Sequence, residues 1–228
     1  MTTTSVHNRI RAVLFDLDGT LIDTEDQYTA IWGRIGSKYH PEIPDFAHRI
    51  KGMTLQRILD NWFPDEEQRK LVVPDLYAYE DQMIFTFYPG ALDFVADLRK
   101  HGVKCAVVTS SNRKKMESLR KQINNFEELF DVILTAEDFK ASKPDPDCFL
   151  TAASALSFSK DECVVFEDAP NGLEAGRRSG MFTVGVATTL TLEQITPLCH
   201  YVLSSYEGFT LEKLQSIKEK SSEGNGKA

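Results

Sequence analysis

Short apolar runs recur along the chain at intervals long enough to hold a helix. They cover residues 12–15, 105–110, 131–135, 163–166, 182–187 and 200–204. The runs lack the polar alternation of half-exposed strands, which predicts strands buried on both faces, as in a parallel sheet. The segments between them carry apolar residues at helical spacing. Strands that alternate with helices predict an α/β fold, a doubly wound parallel sheet with a Rossmann-like core.

One long segment interrupts this alternation. Residues 25–87 contain no convincing strand, and their apolar residues fall on helix faces, with an expected interruption of the last helix at Pro74. Tyr88-Pro89-Gly90 marks the return to the main domain. We predict a small all-helical cap domain at residues 25–87, inserted after the first strand, and a core domain formed by residues 8–24 and 88–214. The polar end of the chain, residues 215–228, is predicted to be disordered.

Composition and net charge indicate which classes of binding partner are disfavoured. The 228 residues are 42% hydrophobic, enough for one large domain or a domain with an insertion. A net charge of −8 argues against a broad binding surface for nucleic acid or for an anionic membrane. The cysteines are far apart and form no CxxC pair, which favours reduced, buried thiols. The N-terminus lacks an apolar signal segment, so we expect a cytoplasmic protein. We also expect the protein to be a monomer.

Polar residues follow the predicted strands at the points where the strands end. They are Asp16 and Asp18 after the first run, Thr109, Ser110 and Ser111 after the second, Glu167 and Asp168 after the fourth, and Lys143 between a strand and a helix. Ligands of doubly wound sheets bind beyond these carboxyl ends. Carboxylates suit Mg²⁺, whereas hydroxyls and a lysine suit a phosphate. The set predicts metal-assisted phosphoryl transfer, with an aspartate as a possible covalent nucleophile.

Each of these features taken alone has a simpler interpretation. Asp18-Gly19 could be only a turn, and a calcium loop would need its glycine two positions later. Lys143 alone would be a solvated surface lysine, and Glu167-Asp168 could simply favour the start of the following helix. Their joint placement after strands favours the functional interpretation.

These residues form a pattern that resembles the haloacid dehalogenase-like hydrolase superfamily, in its group of capped phosphatases and phosphomutases similar to β-phosphoglucomutase. The resemblance covers nearly the whole chain. Its motifs occur in order as Asp16-Leu17-Asp18-Gly19-Thr20, then Thr109, then Lys143 before a proline, then Glu167-Asp168. The helical insertion at residues 25–87 matches the cap position of this group.

The resemblance implies a role for each acidic residue. Asp16 would attack phosphorus and become phosphorylated, and Asp18 would protonate the leaving oxygen and later activate water. Mg²⁺ would be the cofactor, held by Asp16, by the main-chain carbonyl of Asp18 and by Asp168. Glu167 would bind the metal either directly or through water.

It also implies a phosphate cradle and a cap loop. Thr109, Ser110 and Lys143 would bind the phosphoryl oxygens, and Thr20 would complete the cradle. Residues 49–55 would read the substrate, a small phosphorylated metabolite. In this loop Gly52 permits a tight turn, and Lys51 or the nearby Arg57 could meet an anionic group, although solvated charge is an equal alternative for both.

Other functions remain as alternatives at this point. A phosphohexomutase such as β-phosphoglucomutase shares the motifs, but mutases carry a His and an Arg at positions that correspond here to Tyr28 and Leu55. Pyrophosphate is another conceivable substrate. A signalling receiver domain uses similar residues, but it places the acidic pair before the phosphorylated aspartate. A non-catalytic phosphate-binding relative is disfavoured because no motif residue is missing.

Overall fold

The fold is built on a six-stranded sheet in a computed structural model that describes residues 9–224. The strands are β1 (Ala12–Phe15), β2 (Lys104–Val108), β3 (Val132–Leu134), β4 (Cys163–Glu167), β5 (Phe182–Val186) and β6 (Tyr201–Leu203). Their order is β3-β2-β1-β4-β5-β6, and every neighbouring pair is parallel. Each apolar run forms a strand, so the predicted parallel sheet is confirmed. Residue 8, the predicted start of the core domain, lies outside the described residues.

Helices cover both faces of the sheet, because each strand is apolar on both sides. Val13 and Phe15 of β1 join one hydrophobic cluster, whereas Ala12 and Leu14 join another. The first cluster takes residues from α5 (Ala91–Lys100), α6 (Arg113–Gln122) and α11 (Leu211–Gly224), and the second from α8 (Asp147–Ala155) and α9 (Pro170–Arg178). Short helices complete the layers at α7 (Phe126–Leu129) and α10 (Leu192–Ile195). Because helices bury both faces of the sheet, its strand ends remain as the place for a site.

The segment between β1 and α5 is helical. It holds α1 (Glu25–Tyr39), α2 (Phe46–Arg49), α3 (Leu55–Trp62) and α4 (Glu66–Glu80), which share a hydrophobic cluster of their own. The chain enters and leaves this segment side by side. The Asp23 amide donates to the Thr86 carbonyl at 2.8 Å, and the Tyr88 amide donates to the Leu21 carbonyl at 2.9 Å. The helices therefore stand on a narrow double connection beyond the carboxyl end of β1.

The expected interruption at Pro74 is wrong. Helix α4 continues through Pro74 and ends at Glu80. A proline inside a helix removes one main-chain hydrogen bond. Val72 and Leu76, on either side of it, are 0% and 2% exposed, and their burial against the other helices offsets that loss.

The expectation of a disordered tail from residue 215 is also wrong for residues 215–224, which lie in α11. Leu214 is fully buried, and Ile217 packs against the same cluster. Lys218 is buried as well and donates to the Asp161 carbonyl. Apolar residues three positions apart hold the helix on the core although the sequence around them is polar. Residues 225–228 lie outside the described residues.

Across residues 9–224, none of the helices has both the length and the apolar character needed to span a membrane.

Candidate active site

The site lies where three adjacent strands end. Asp16 follows β1, and its amide donates to the Phe166 carbonyl at the end of β4 at 2.9 Å. Thr109 follows β2, on the other side of β1, and is 1% exposed. Because β1 lies between β2 and β4, the residues that end these strands are brought together around Asp16. These are residues that the sequence analysis placed at the ends of strands.

Lys143 is the cation at the centre of the site. Its side chain is 0% exposed, and Nζ donates to Asp16 Oδ1 at 2.5 Å, to Glu167 Oε1 at 2.9 Å and to the Val108 carbonyl at 3.2 Å. Burial alone would lower the pKa of Lys143, but the carboxylates of Asp16 and Glu167 outweigh burial and raise this pKa. Lys143 therefore stays a charged ammonium group in contact with Asp16.

Glu167 has no free oxygen in this arrangement. While Oε1 accepts from Lys143, Oε2 accepts from the amides of Asp168 at 2.8 Å and Ala169 at 2.7 Å. Gly172, in the first turns of α9, leaves room for this carboxylate, because an added Cβ would overlap it. Glu167 is thus fixed between Lys143 and the start of α9.

Asp168 is oriented by two hydroxyl groups. Thr20 Oγ1 donates to Oδ1 at 2.9 Å, and Thr189 Oγ1 donates to Oδ2. Thr20, which the sequence analysis placed in the phosphate cradle, is the first of these two donors. Gly19 has a φ of 77°, and a side chain there would overlap the Asp168 carboxylate. The turn after Asp18 therefore requires glycine for both conformation and space.

The buried carboxylates leave an excess of negative charge. Burial raises the pKa of Asp16 to about 8; Lys143 opposes this rise, whereas Glu167 and Asp18 add to it. Burial also raises the pKa of Asp168 well above its usual value, with further contributions from Glu167 and Glu25. Lys143 pairs with Asp16 and Glu167, whereas the partners described for Asp168 are neutral hydroxyl groups, so the donor set suits a hard divalent cation.

Side chains alone do not complete a metal site here. Within residues 9–224, no group of three or more His, Cys, Asp or Glu side chains forms a set that could hold a metal ion. Mg²⁺ commonly takes only one or two protein carboxylates and completes its octahedron with water and substrate phosphate. Asp16 and Asp168, with the main-chain carbonyl of Asp18, fit that pattern of donors.

Asp18 is held as a carboxylate. Thr24 Oγ1 donates to Oδ1 at 2.6 Å, Ser111 Oγ donates to Oδ2 at 2.7 Å, and Lys115 Nζ forms an ion pair with Oδ1. Burial raises the pKa of Asp18, but Lys115 and the hydroxyl donors outweigh burial and lower it. The structure thus presents Asp18 in its ionised form.

Lys115 and Thr189 were missed by the sequence prediction. Lys115 is 1% exposed, although it stands in a run of three cations, Arg113-Lys114-Lys115. The only signal for Lys115 was helical phase, since it shares a face with the buried Leu119 four residues on. Thr189 lies three residues after the end of β5, in the Thr188-Thr189 pair, whereas Thr109 directly follows β2; its signal was therefore a weaker form of the strand-end pattern.

The loop between α2 and α3 touches the core through its main chain. The Gly52 carbonyl accepts from Ser110 Oγ at 3.0 Å, and the Lys51 carbonyl accepts from Asn171 Nδ2 at 2.9 Å. Gly52 has a φ of 76°, as the predicted tight turn requires. The Lys51 side chain is paired with Glu25. The loop is therefore docked on the candidate site.

Arg57 is placed differently from the sequence expectation. Its guanidinium donates to the Lys143 carbonyl at 2.7 Å and to the Ser142 carbonyl at 3.4 Å. Arg57 is not among the residues that line the cavity. It therefore joins α3 to the loop that carries Lys143, and its guanidinium is engaged by main-chain carbonyls.

A cavity of about 110 Å³ lies between the helical segment and the strand ends. Asp16, Asp18, Thr109 and Ser110 line it from the core. The helical segment contributes apolar side chains, which include Trp32, Ile58 and Leu76, and polar ones, which include Tyr28 and Glu80. The carboxylates of Asp16 and Asp18 thus share this cavity with a wall that is apolar over much of its area.

Known proteins are similar to this chain in sequence and in fold. Residues 13–186 match the model of a family described as haloacid dehalogenase-like hydrolase. Validoxylamine A 7′-phosphate phosphatase of Streptomyces hygroscopicus subsp. limoneus is 31% identical over 81% of this chain and 89% of its own. Beta-phosphoglucomutase of Bacillus subtilis (strain 168) is 30% identical over 78% of this chain and 83% of its own. The crystal structure of beta-phosphoglucomutase from Clostridium difficile has a TM-score of 0.78 at 24% identity, over 92% of this chain and 98% of that chain, and shows the same fold.

Proposed function

The chain belongs to the haloacid dehalogenase-like hydrolase family and is a phosphoric monoester hydrolase, and from this premise we propose that it is an Mg²⁺-dependent phosphatase of a small phosphorylated metabolite. A sugar, polyol or nucleoside phosphate is the substrate class, and the reaction passes through an aspartyl phosphate. One observation carries the proposal. The Asp16 carboxylate is held by the buried Lys143 at 2.5 Å, and Asp18 faces the same cavity two residues further on.

In the first step, a carboxylate oxygen of Asp16 attacks phosphorus, and the bond from phosphorus to the leaving oxygen breaks. Lys143 stabilises the charge on the transferred group, together with the hydroxyl and amide donors that follow β2. When bound, Mg²⁺ supplies the charge neutralisation that lets a carboxylate approach an anionic phosphoryl group. Asp16, Asp168 and the Asp18 carbonyl would hold the ion.

Asp18 moves the proton in both steps. A bound phosphate monoester brings negative charge next to Asp18, which raises its pKa and favours the protonated form needed by the leaving oxygen. After the alcohol leaves, Asp18 is ionised and accepts a proton from the water that attacks phosphorus. Lys115 stabilises this ionised form. The products are inorganic phosphate and a free Asp16 carboxylate.

In this proposal, Glu167 holds the Lys143 ammonium group in position. Both of its oxygens are engaged by Lys143 and by the amides at the start of α9. A carboxylate that accepts three N–H donors has little capacity left for a metal. We therefore assign to Glu167 the positioning of Lys143, in place of the direct metal contact that the sequence left open.

The helices α1–α4 form a cap domain that controls access to the site. They stand on two adjacent chain connections. They contact the core through the loop between α2 and α3, through Arg57, and at the end of α4, where Asp81 accepts from Ser118 Oγ at 2.7 Å. Release of these contacts would admit substrate, and their formation would exclude bulk water during the reaction.

A phosphomutase is the second candidate, because beta-phosphoglucomutase is among the relatives. A mutase must hold a second phosphate with cations while the intermediate turns around. The described lining of the cavity contains five carboxylates and one lysine, Lys51, which is paired with Glu25. Tyr28 and Leu55 line the cavity at the positions where mutases carry a His and an Arg. This environment favours hydrolysis over transfer to a second phosphorylated position.

Phosphate release by the purified protein tests the proposal. A panel of phosphorylated metabolites and an activated aryl phosphate should yield inorganic phosphate, and Asp16→Asn should abolish this activity because the attacking oxygen is lost. Asp26→Asn is the matched control, since Asp26 is exposed on α1, and it should keep full activity. Substantial turnover by Asp16→Asn would contradict the mechanism.

A further inference from the structure

One acidic residue of the cavity has an oxygen without a partner. Glu80, the last residue of α4, is 5% exposed and lines the cavity. Its Oε1 accepts from the Tyr28 hydroxyl at 2.8 Å. Its Oε2 is buried and has no hydrogen-bond partner among the residues that the structure describes. A buried acceptor without a donor is costly, and its persistence in a cavity points to a ligand.

The surroundings of Glu80 indicate which kind of ligand group would form a hydrogen bond with its Oε2. A carboxylate only accepts hydrogen bonds, so the missing partner must be a donor. Burial raises the pKa of Glu80, and Lys115, which opposes this rise, forms no ion pair with it. The lining holds four further carboxylates, and its one lysine is already paired. The environment therefore disfavours a second phosphate, and a hydroxyl is the donor that the alcohol part of a phosphate monoester can offer.

The rest of the wall suits a carbon chain that bears hydroxyl groups. Trp32, Ile58 and Leu76 present apolar surface to the same space. Ligand cavities commonly combine such apolar walls with a few polar groups that fix orientation. Glu80 and Tyr28 supply polar groups on this wall, beside Thr29 and the paired Glu25 and Lys51.

Building on the proposed phosphatase function, we propose that Glu80 is a specificity-determining residue whose Oε2 accepts a hydrogen bond from a hydroxyl of the leaving group. The preferred substrates are then monophosphates of polyhydroxylated alcohols without a second anionic group. Tyr28 fixes the Glu80 carboxylate through Oε1, so that Oε2 keeps a constant direction in the cavity.

The test pairs a change in the substrate with a change in the protein. Polyol monophosphates of three to six carbons are each compared with the n-alkyl monophosphate of the same length, and kcat/KM is measured for both. In the wild-type protein the best polyol phosphate should exceed its alkyl partner by roughly tenfold or more, the usual effect of one hydrogen bond to a charged group. In Glu80→Leu this ratio should fall to about one.

Two further variants keep the result interpretable. Glu80→Gln retains an oxygen that accepts from Tyr28 at nearly the same volume, but it places an NH₂ donor where Oε2 stood. It should lower the ratio about threefold or more, because the charged acceptor for the substrate hydroxyl is lost. This variant decides the question if Glu80→Leu does not fold. Glu66→Gln removes an exposed charge from the same helix and should leave the ratio unchanged.

The outcomes separate the two proposals. If the wild-type protein hydrolyses no phosphate monoester, including the aryl phosphate, the proposed function itself is wrong. If it hydrolyses aryl or alkyl phosphates as well as polyol phosphates, or if the ratio is the same in Glu80→Gln and the wild type, the phosphatase function stands and the role of Glu80 is overturned.

Discussion

Replacing Glu167 by glutamine tests how the lysine of the site is held in place. In the structure, Glu167 Oε1 accepts from Lys143 at 2.9 Å and Oε2 accepts from two amides at the start of α9. A glutamine has one oxygen for these donors and an NH₂ group in place of the other. If its oxygen stays with the two amides, its NH₂ faces the Lys143 ammonium, and two donors oppose each other.

The contacts of Glu167 set the size of the effect. Removal of one partner from a buried ion pair commonly costs about 3–5 kcal/mol. Lys143 keeps Asp16 as a second anionic partner, so we expect the lower end, about 3 kcal/mol, in the free energy of unfolding. A displaced Lys143 also stabilises the transferred phosphoryl group less well. A loss of about 2.7 kcal/mol in this stabilisation corresponds to a hundredfold decrease in kcat.

Two measurements on the same preparation check this expectation. Urea denaturation gives the free energy of unfolding, and steady-state hydrolysis of an aryl phosphate across a range of Mg²⁺ concentrations gives kcat and the concentration for half-maximal activity. We expect kcat to fall while the half-maximal Mg²⁺ concentration stays within about twofold, since the metal donors are unchanged. Glu174→Gln is the control, because this exposed glutamate of α9 pairs only with Arg178 on the surface.

The refuting result is specific. If Glu167→Gln raises the half-maximal Mg²⁺ concentration by tenfold or more and excess Mg²⁺ restores kcat, then Glu167 binds the metal and the positioning role is wrong.

Three further predictions concern the metal, the reaction and the fold. A chelator should abolish phosphate release, Mg²⁺ should restore it and Ca²⁺ should inhibit it, because Ca²⁺ prefers more ligands and looser geometry; full activity in excess chelator would contradict the cofactor assignment. Phosphate release should exceed the interconversion of β-glucose 1-phosphate and glucose 6-phosphate in a coupled assay, and mutase turnover tenfold above hydrolysis would reverse that assignment. Leu214→Ala should lower the free energy of unfolding by about 2–4 kcal/mol in urea titration, because Leu214 anchors α11 in the core. Leu192→Ala, at a position 57% exposed, should change it by less than about 0.5 kcal/mol, and equal effects for both would mean that α11 is not packed as described.

The sheet and the strand-end residues could be predicted because their signals are local. A run such as residues 12–15 is apolar at every position, since both of its faces are covered, and Asp16 follows it directly. The parallel arrangement then brings Asp16 next to Thr109 and Glu167 without further information.

Other features depend on contacts that no local pattern encodes. The helix through Pro74 and the end of α11 exist because distant side chains bury them, whereas their own composition suggests interruption and disorder. The direction of Arg57 on α3 and the burial of Lys115 on α6 depend on which face of each helix meets the core. Glu80 belongs to an acidic, aromatic stretch, and its place in the cavity follows only from the packing of α4 against α1.

The way in which the α2–α3 loop contacts the core affects which of its positions can change in evolution. Its acceptors are the main-chain carbonyls of Lys51 and Gly52, which every residue type possesses. Only position 52 is constrained, because its φ of 76° favours glycine. Substitutions at the neighbouring positions would therefore change which side chains the loop presents to the cavity without altering how the loop is held on the core. Under the proposed function, a few substitutions in this loop would change which leaving groups the protein accepts, while the residues that perform the reaction stay the same.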